Sequence, residues 1–112
     1  MKAIVKTRTS VAVRTVPVPR ISAGDVLIKV AMAGLCRTDT YAARGTLKVK
    51  EGTILGHEFS GTIEQVGRSV RKLKRGDRVA VMPIVSNKQG DYVGPMVGVN
   101  THGAYAEFIR VP

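Results

Sequence analysis

The sequence has little cysteine, few aromatic residues and few acidic side chains. Its single cysteine, Cys36, excludes an intramolecular disulfide and a structural zinc site of the Cys₄ or Cys₂His₂ kind. No uncharged apolar run approaches the ~20 residues of a membrane-spanning helix. The opening residues, MKAIVKTRTS, contain no apolar signal-peptide core. We therefore expect a cytoplasmic protein with no membrane partner, since a lone thiol is typical of a reducing compartment.

The excess of basic over acidic side chains is the strongest feature of the composition. There are 18 lysines and arginines against 8 acidic residues, which gives a formal net charge of +10. The densest basic stretch runs from Arg68 to Arg78. Such a stretch is typical of an anionic partner or of a solvated basic face. Because no aromatic side chain lies in it to stack on bases, we expect a solvated face and no nucleic-acid partner.

The hydrophobic pattern predicts a mainly β domain built from short strands. Apolar residues make up 44% of the chain, which is enough for one core and argues against disorder. Glycines and prolines separate the strands, as in a sandwich or a partly open barrel. The predicted strands cover residues 1–6, 11–18, 25–33, 58–66, 78–82 and 104–111.

One short helix is predicted over residues 36–44, with Thr38 or Asp39 as its N-cap and Gly45 as its closing glycine. Residues 83–103, which are rich in glycine and proline, are long for a structureless loop and are predicted to be either a functional segment or a degenerate lobe. No glycine-rich phosphate-binding motif follows a predicted strand, so the sequence carries no nucleotide-binding fingerprint.

Few side chains could carry chemistry: Cys36, His57, His102 and the eight carboxylates. A thiolate and an imidazole are good zinc ligands, and a carboxylate can complete or orient such a site. By residue type alone, a single cysteine in a glycine-rich turn is more often a small packed side chain, and a Cys–His nucleophile pair is the competing enzyme interpretation. We expect no chemical role for His102.

Motifs in chain order carry more information than these residue types. They read GLCRTD, GHEFSG, GDRV and GAYAEF, at residues 34–39, 56–61, 76–79 and 103–108. Together they resemble the N-terminal catalytic domain of the zinc-dependent medium-chain alcohol dehydrogenases. The resemblance covers essentially the whole chain, residues 1–112. It implies a GroES-like fold, which is a distorted, partly open β-barrel with short helices.

The resemblance also implies the parts of a catalytic zinc site. Cys36 and His57 match two zinc ligands. Glu58 matches the carboxylate beside the zinc, which is a ligand in some relatives. Asp39 matches the carboxylate that orients the zinc-bound histidine.

Three further residues acquire candidate roles through the resemblance. Thr38 matches the hydroxyl that takes the proton of the alcohol substrate. Arg37 matches a position that contacts the cofactor pyrophosphate in some relatives. Tyr41 is a candidate for the substrate pocket or the proton relay, with ordinary helix packing as the alternative.

The sequence departs from the family in the segment that holds a structural zinc in some relatives. Residues 83–103 contain no cysteine, and we expect a metal-free version of that lobe. Its polar residues cannot rebuild a tetrahedral thiolate site: Ser86, Asn87, Lys88, Gln89 and Asp91.

The catalytic site is also expected to be incomplete, because the third zinc ligand of the family lies beyond Pro112. Glu58 could stand in for it only if the chain bends, since adjacent residues of a regular strand point to opposite faces. No Rossmann domain is present, so NAD or NADP would be held only by a partner chain or a missing C-terminal segment. Its absence predicts an unpaired apolar surface.

The predicted function is that of a catalytic segment of a zinc-dependent alcohol or polyol dehydrogenase. Zinc would polarise a small alcohol, and hydride would pass to a nicotinamide held by a domain outside this segment. We do not expect the 112-residue chain to be active alone. The alternative is a non-catalytic GroES-like binding module for a protein partner or an anionic surface.

Overall fold

Short antiparallel strands make up most of the regular structure, as the hydrophobic pattern predicts. The computed structural model describes residues 1–86 and 92–112. Its elements in chain order are β1 (Lys2–Lys6), β2 (Val11–Thr15), β3 (Val26–Gly34), α1 (Arg37–Arg44), β4 (Glu58–Val66), β5 (Arg78–Val81), β6 (Ile84–Ser86), β7 (Tyr92–Met96) and β8 (Phe108–Val111). Within the described residues, no helix is long and apolar enough to cross a membrane.

The strands form a four-stranded sheet and two hairpins. The sheet has the order β5-β4-β3-β8, and β1 pairs with β2 and β6 with β7. Strands β3 and β4 are antiparallel, with Gly34 opposite Glu58. The end of β3 therefore lies beside the start of β4. This places Cys36, which follows β3, and His57, which precedes β4, at the same end of these two strands.

The core lies on the four-stranded sheet. Ile28 on β3 and Ile63 on β4 are fully buried, as is Leu55 just before β4. Ile28 and Ile63 belong to the main cluster, whose other buried members are Val26, Phe59, Val97, Ala104, Ile109 and Val111. A smaller cluster joins β1 to the segment before β4, through Ala3, Val5 and Ile54. Both clusters hold the 54–59 segment, so the backbone around His57 is anchored on two sides.

Strand β3 is less regular than its sequence suggests. Two register irregularities, between Leu27 and Ile28 and between Val30 and Met32, interrupt its pairing with β4. Its side chains therefore do not alternate strictly between two faces over residues 26–31. An irregularity of this kind bends a strand and increases its twist. Gly61 on β4 lies so close to the Lys29 carbonyl that a Cβ atom could not be accommodated.

Strand β4 is predicted exactly, whereas four other strand predictions extend too far. Strand β2 ends at Thr15 instead of residue 18, because Pro17 and Pro19 have no N–H to donate. Strands β1 and β5 are each one residue shorter than predicted.

The final strand begins at Phe108 rather than residue 104, because the backbone before it is bonded elsewhere. Ala104 N–H donates to the Gly56 carbonyl at 2.9 Å, and Tyr105 N–H donates to the Leu55 carbonyl at 2.9 Å.

The predicted helix ends at the correct residue, but it begins one residue too early and its predicted N-cap is wrong. Cys36 is the N-cap, in extended conformation, and neither Thr38 nor Asp39 occupies that position. The Asp39 carboxylate instead accepts a hydrogen bond from Cys36 N–H at 3.0 Å. Gly45 ends the helix with a φ of 82°, in the left-handed region that favours glycine.

Residues 83–103 are not simply a loop, because they contain the β6–β7 hairpin. Ile84 pairs with Met96 at its base. The predicted lobe residues Asn87, Lys88, Gln89 and Asp91 lie outside the described residues, and the side chain of Ser86 is not described either.

Candidate metal centre

Three potential metal ligands meet where β3 ends and β4 begins. The Cys36 sulfur, a His57 ring nitrogen and a Glu58 carboxylate oxygen all lie within 4.8 Å of one another. His57 is buried, with 4% of its side chain exposed, whereas 55% of the Glu58 side chain is exposed. A thiolate, an imidazole and a carboxylate form a donor set that suits zinc. The residues present therefore fit the metal that the motifs imply.

A glycine makes it possible for two adjacent residues to face the same point. Gly56 has a φ of 91°, so the chain turns just before His57, and β4 begins only at Glu58. As a result, Glu58 Oε1 lies 3.8 Å from His57 Nε2. The bend that Glu58 needs in order to reach the site is present. It occurs before the strand begins, where the alternation of faces does not apply.

Asp39 lies on the other side of the His57 ring. Its Oδ1 is 3.2 Å from His57 Nδ1, and both side chains are buried. The Nδ1 atom makes no hydrogen bond of good geometry within the described residues. The carboxylate nevertheless favours a proton on Nδ1, which leaves the Nε2 lone pair on the side of Cys36 and Glu58.

The backbone holds the Asp39 carboxylate in place. Its Oδ2 accepts from Cys36 N–H at 3.0 Å, and its Oδ1 accepts from Gly56 N–H at 3.3 Å. The two N–H donors lie in the turns that carry the half-buried ligand Cys36 and the buried ligand His57. One carboxylate thus links the Cys36 turn to the His57 turn.

Tyr105 completes this network, although no role for it is predicted from the sequence. Its hydroxyl lies 2.8 Å from Asp39 Oδ2 and 2.8 Å from the Gly34 carbonyl oxygen. Burial raises the pKa of Tyr105, and the hydrogen bond to Asp39 raises it further. The hydroxyl therefore stays protonated, and able to donate, well above neutral pH. The only sequence feature that points to a role for Tyr105 is its position inside the GAYAEF motif.

The other predicted residues lie on α1 near the ligands. The Thr38 hydroxyl oxygen is 3.7 Å from the Cys36 sulfur. Arg37 is exposed at the first position of the helix. Tyr41 is 44% exposed and lies outside the buried core.

A cavity of about 820 Å³ lies apart from these residues. It is lined by residues from the β2 exit, the 50–54 segment, the 100–103 loop and β8, and it includes none of the candidate ligands. His102 lines this cavity, where its Nδ1 accepts from Ile54 N–H at 3.2 Å. This bond gives His102 a structural function in joining two loops.

Curated relatives of this chain include several dehydrogenases. The alcohol dehydrogenase GroES-like domain family matches residues 22–112. L-threonine 3-dehydrogenase of Bacillus velezensis is 32% identical, over 100% of this chain and 37% of that protein. Sorbitol dehydrogenase of Homo sapiens is 44% identical, over 60% of this chain and 20% of that protein.

Solved structures share the fold. Galactitol-1-phosphate dehydrogenase from Escherichia coli matches with a TM-score of 0.91 at 32% identity, over 99% of this chain and 36% of that one. A cobalt- and zinc-bound thermostable alcohol dehydrogenase from Pyrobaculum aerophilum matches with a TM-score of 0.90 at 29% identity, over 100% of this chain and 39% of that one.

The chain spans a little over one third of the length of the Bacillus and Escherichia relatives. The resemblance seen in the motifs and the mainly β, GroES-like fold are both confirmed. By sequence match and fold, the chain belongs to the zinc-dependent medium-chain alcohol dehydrogenase family, as its N-terminal GroES-like part.

Proposed function

We propose that Cys36, His57 and Glu58 bind a catalytic zinc ion in an oxidoreductase that acts on a small alcohol or polyol. The observation that carries the proposal is the convergence of these three ligands within 4.8 Å, with Asp39 behind the His57 ring. The relatives named above act, by their names, on threonine, sorbitol and galactitol 1-phosphate, all of which carry hydroxyl groups. The substrate class is therefore a hydroxylated small molecule.

When bound, zinc would supply Lewis-acid polarisation of a hydroxyl oxygen and so lower its pKa. The chain's own residues would prepare and complete this site. Asp39 would keep His57 in the tautomer that presents Nε2 to the metal. The Thr38 hydroxyl, beside the Cys36 sulfur, would accept the proton of the substrate alcohol.

The remaining candidates, Arg37, Tyr41 and Glu58, are all exposed to solvent. Arg37 would contact the pyrophosphate of NAD or NADP, because a guanidinium binds phosphate oxygens well. Tyr41 would border the substrate. Glu58 would serve as third ligand, and its exposure leaves it free to move onto the ion.

Hydride transfer requires a dinucleotide, and we propose that a Rossmann domain supplies it from a partner chain or a further segment. Large apolar side chains near the ends of β3 and β5 support this: Met32, Leu35 and Met82 are mostly exposed. Exposed apolar groups of this kind mark contact surfaces. Residues 1–112 would then be one GroES-like domain, with 83–103 as a cysteine-free lobe and no structural zinc. A reduced Cys36 suits the cytoplasm.

A second candidate function is a non-catalytic module that binds an anionic surface. The net charge of +10 and the exposed basic residues between β4 and β5 favour it. Binding of this kind would weaken steeply between low and moderate salt. Zinc binding would not be required for it.

The two functions are separated by the zinc content and zinc affinity of the purified chain. We expect about one equivalent of zinc, lost in Cys36→Ser and in His57→Gln, because each substitution removes a ligand. His102→Gln is the matched control and should retain the metal, since His102 lies in the separate cavity. A folded chain that binds no zinc above the level of Cys36→Ser would contradict the proposal.

A further inference from the structure

We propose that Tyr105 is a positioning residue of the metal centre, which fixes the Asp39 carboxylate and thereby the spacing of Cys36 and His57. The inference rests on the metal site proposed above, but it concerns a residue that is not a ligand. Tyr105 comes from a third segment, far along the chain from both ligand-bearing turns. Its side chain contacts each of them.

The hydroxyl group contacts the Cys36 turn at both ends. It lies 2.8 Å from the Gly34 carbonyl, at the end of β3, and 2.8 Å from Asp39 Oδ2, in the first turn of α1. Cys36 lies between these two points, and its own N–H donates to the same carboxylate oxygen. The hydroxyl therefore closes the turn that presents the Cys36 sulfur.

The two contacts of the hydroxyl are not equivalent. A tyrosine hydroxyl has one proton and donates one conventional hydrogen bond at a time. A bond to an ionised carboxylate is roughly twice as strong as one to a neutral carbonyl. Asp39 is therefore the main acceptor. Within the described residues, Tyr105 is the one side-chain hydroxyl that donates to this carboxylate.

The aromatic ring contacts the second turn. A Cβ atom on Gly56 would lie 2.6 Å from Tyr105 Cδ1, so the ring rests directly on the Gly56 backbone. Gly56 N–H in turn donates to Asp39 Oδ1. The ring and the hydroxyl of one residue thus act on the His57 turn and the Cys36 turn together.

The backbone of Tyr105 is fixed well enough for this function. Its N–H donates to the Leu55 carbonyl at 2.9 Å, and its carbonyl accepts from Ile4 N–H at 2.7 Å. The side chain therefore projects from a segment bonded to both β1 and the 55–56 segment. A rigid support of this kind is what a residue that orients ligands requires.

Amide hydrogen exchange in the metal-free full chain tests the positioning role without any metal. Tyr105→Phe keeps the ring and removes the hydroxyl. We expect the Cys36 and Gly56 amides to exchange about five- to tenfold faster, because the carboxylate that they donate to is no longer fixed. Unchanged exchange at both amides would overturn the proposal.

The control removes a hydroxyl from the same helix without touching Asp39. The Thr40 hydroxyl donates to the Arg37 carbonyl at 2.7 Å. Thr40→Val should therefore leave exchange at Cys36 and Gly56 unchanged. If it accelerates those amides as much as Tyr105→Phe does, the effect is general loosening of α1 and the proposal fails.

Cobalt(II) affinity, measured by the absorption of the thiolate–metal complex, tests whether this effect passes through Asp39. We expect about a five- to tenfold loss for Tyr105→Phe and about a 10–100-fold loss for Asp39→Asn. In the double variant, the loss should equal that of Asp39→Asn alone. Losses that multiply would overturn the proposal, because Tyr105 would then act independently of Asp39.

Cobalt binding tests the proposed metal site, and amide exchange tests the positioning role of Tyr105, so the failure of one claim can be told from the failure of the other. If the unsubstituted chain binds no cobalt, the proposed metal function fails. Amide exchange still decides the role of Tyr105 in that case, since it needs no metal.

Discussion

At the scale of single residues, Gly56 is the position on which the geometry of the site depends most. Its φ of 91° turns the chain before His57, and its missing side chain leaves room for the Tyr105 ring. The residue types at Cys36, His57 and Glu58 indicate metal chemistry in the sequence. Their convergence could not be predicted from spacing alone, because it requires this turn and the register of Gly34 opposite Glu58.

Gly56→Ala should therefore destabilise the fold by about 2–4 kcal/mol, of which part is left-handed backbone strain and part is overpacking against Tyr105. Urea unfolding measures the change. Gly45→Ala separates the two contributions, because Gly45 also has a positive φ but has no atom within 4 Å of the added Cβ. We expect about 1–2 kcal/mol there, from the left-handed backbone conformation alone. Equal losses in the two variants would contradict the packing argument.

At the scale of elements, α1 depends on contacts from outside the helix. With eight residues, it is too short to be stable alone. The Asp39 carboxylate satisfies a donor at its start. At its end, the buried Lys6 ammonium donates to the Ala43 carbonyl at 3.1 Å and also to the Ser10 carbonyl at 3.3 Å. A cation at this end also interacts favourably with the helix dipole.

Lys6→Met should keep the packing of the aliphatic stem and lose both hydrogen bonds. We expect a cost of about 1–2 kcal/mol in unfolding free energy, with faster amide exchange in the last turn of α1. Lys2→Met is the matched control, because Lys2 is an exposed residue of the same strand. A Lys6→Met variant as stable as Lys2→Met would show that this contact contributes nothing to the helix.

Helices and strands could be predicted where the local sequence pattern determines the structure. They could not be predicted where pairing with a distant segment determines it. Strand β4 alternates clearly and was predicted exactly. The β6–β7 hairpin and the late start of β8 were not predicted. Residues 104–105 have a strand-like sequence, but their amides donate to the 55–56 segment. The local sequence does not show that these amides bond to the 55–56 segment, because that pairing depends on the tertiary fold.

At the scale of the whole molecule, the positive charge is poorly compensated. Within the described residues, two ion pairs join an arginine to a carboxylate, Arg75 with Glu64 and Arg110 with Asp25. A net charge of +10 on 112 residues opposes the compact state through self-repulsion. Composition alone predicts an uncompensated positive charge, and the basic segment 71–76 is indeed exposed.

The melting temperature should therefore rise by several degrees as sodium chloride increases from about 20 to 200 mM, because screening reduces the repulsion. Replacing Arg71 and Lys72 with glutamine should raise the low-salt value and reduce the salt effect. A melting temperature that falls with salt would mean that attractive charge pairs dominate, against this account.

X-ray absorption at the zinc edge of the zinc-loaded chain determines which atoms surround the metal. We expect one sulfur neighbour at about 2.3 Å, from Cys36, with nitrogen and oxygen neighbours at about 2.0–2.2 Å. The sulfur signal should disappear in Cys36→Ser. A coordination shell of nitrogen and oxygen alone in the unsubstituted chain would contradict a metal centre built on Cys36, His57 and Glu58.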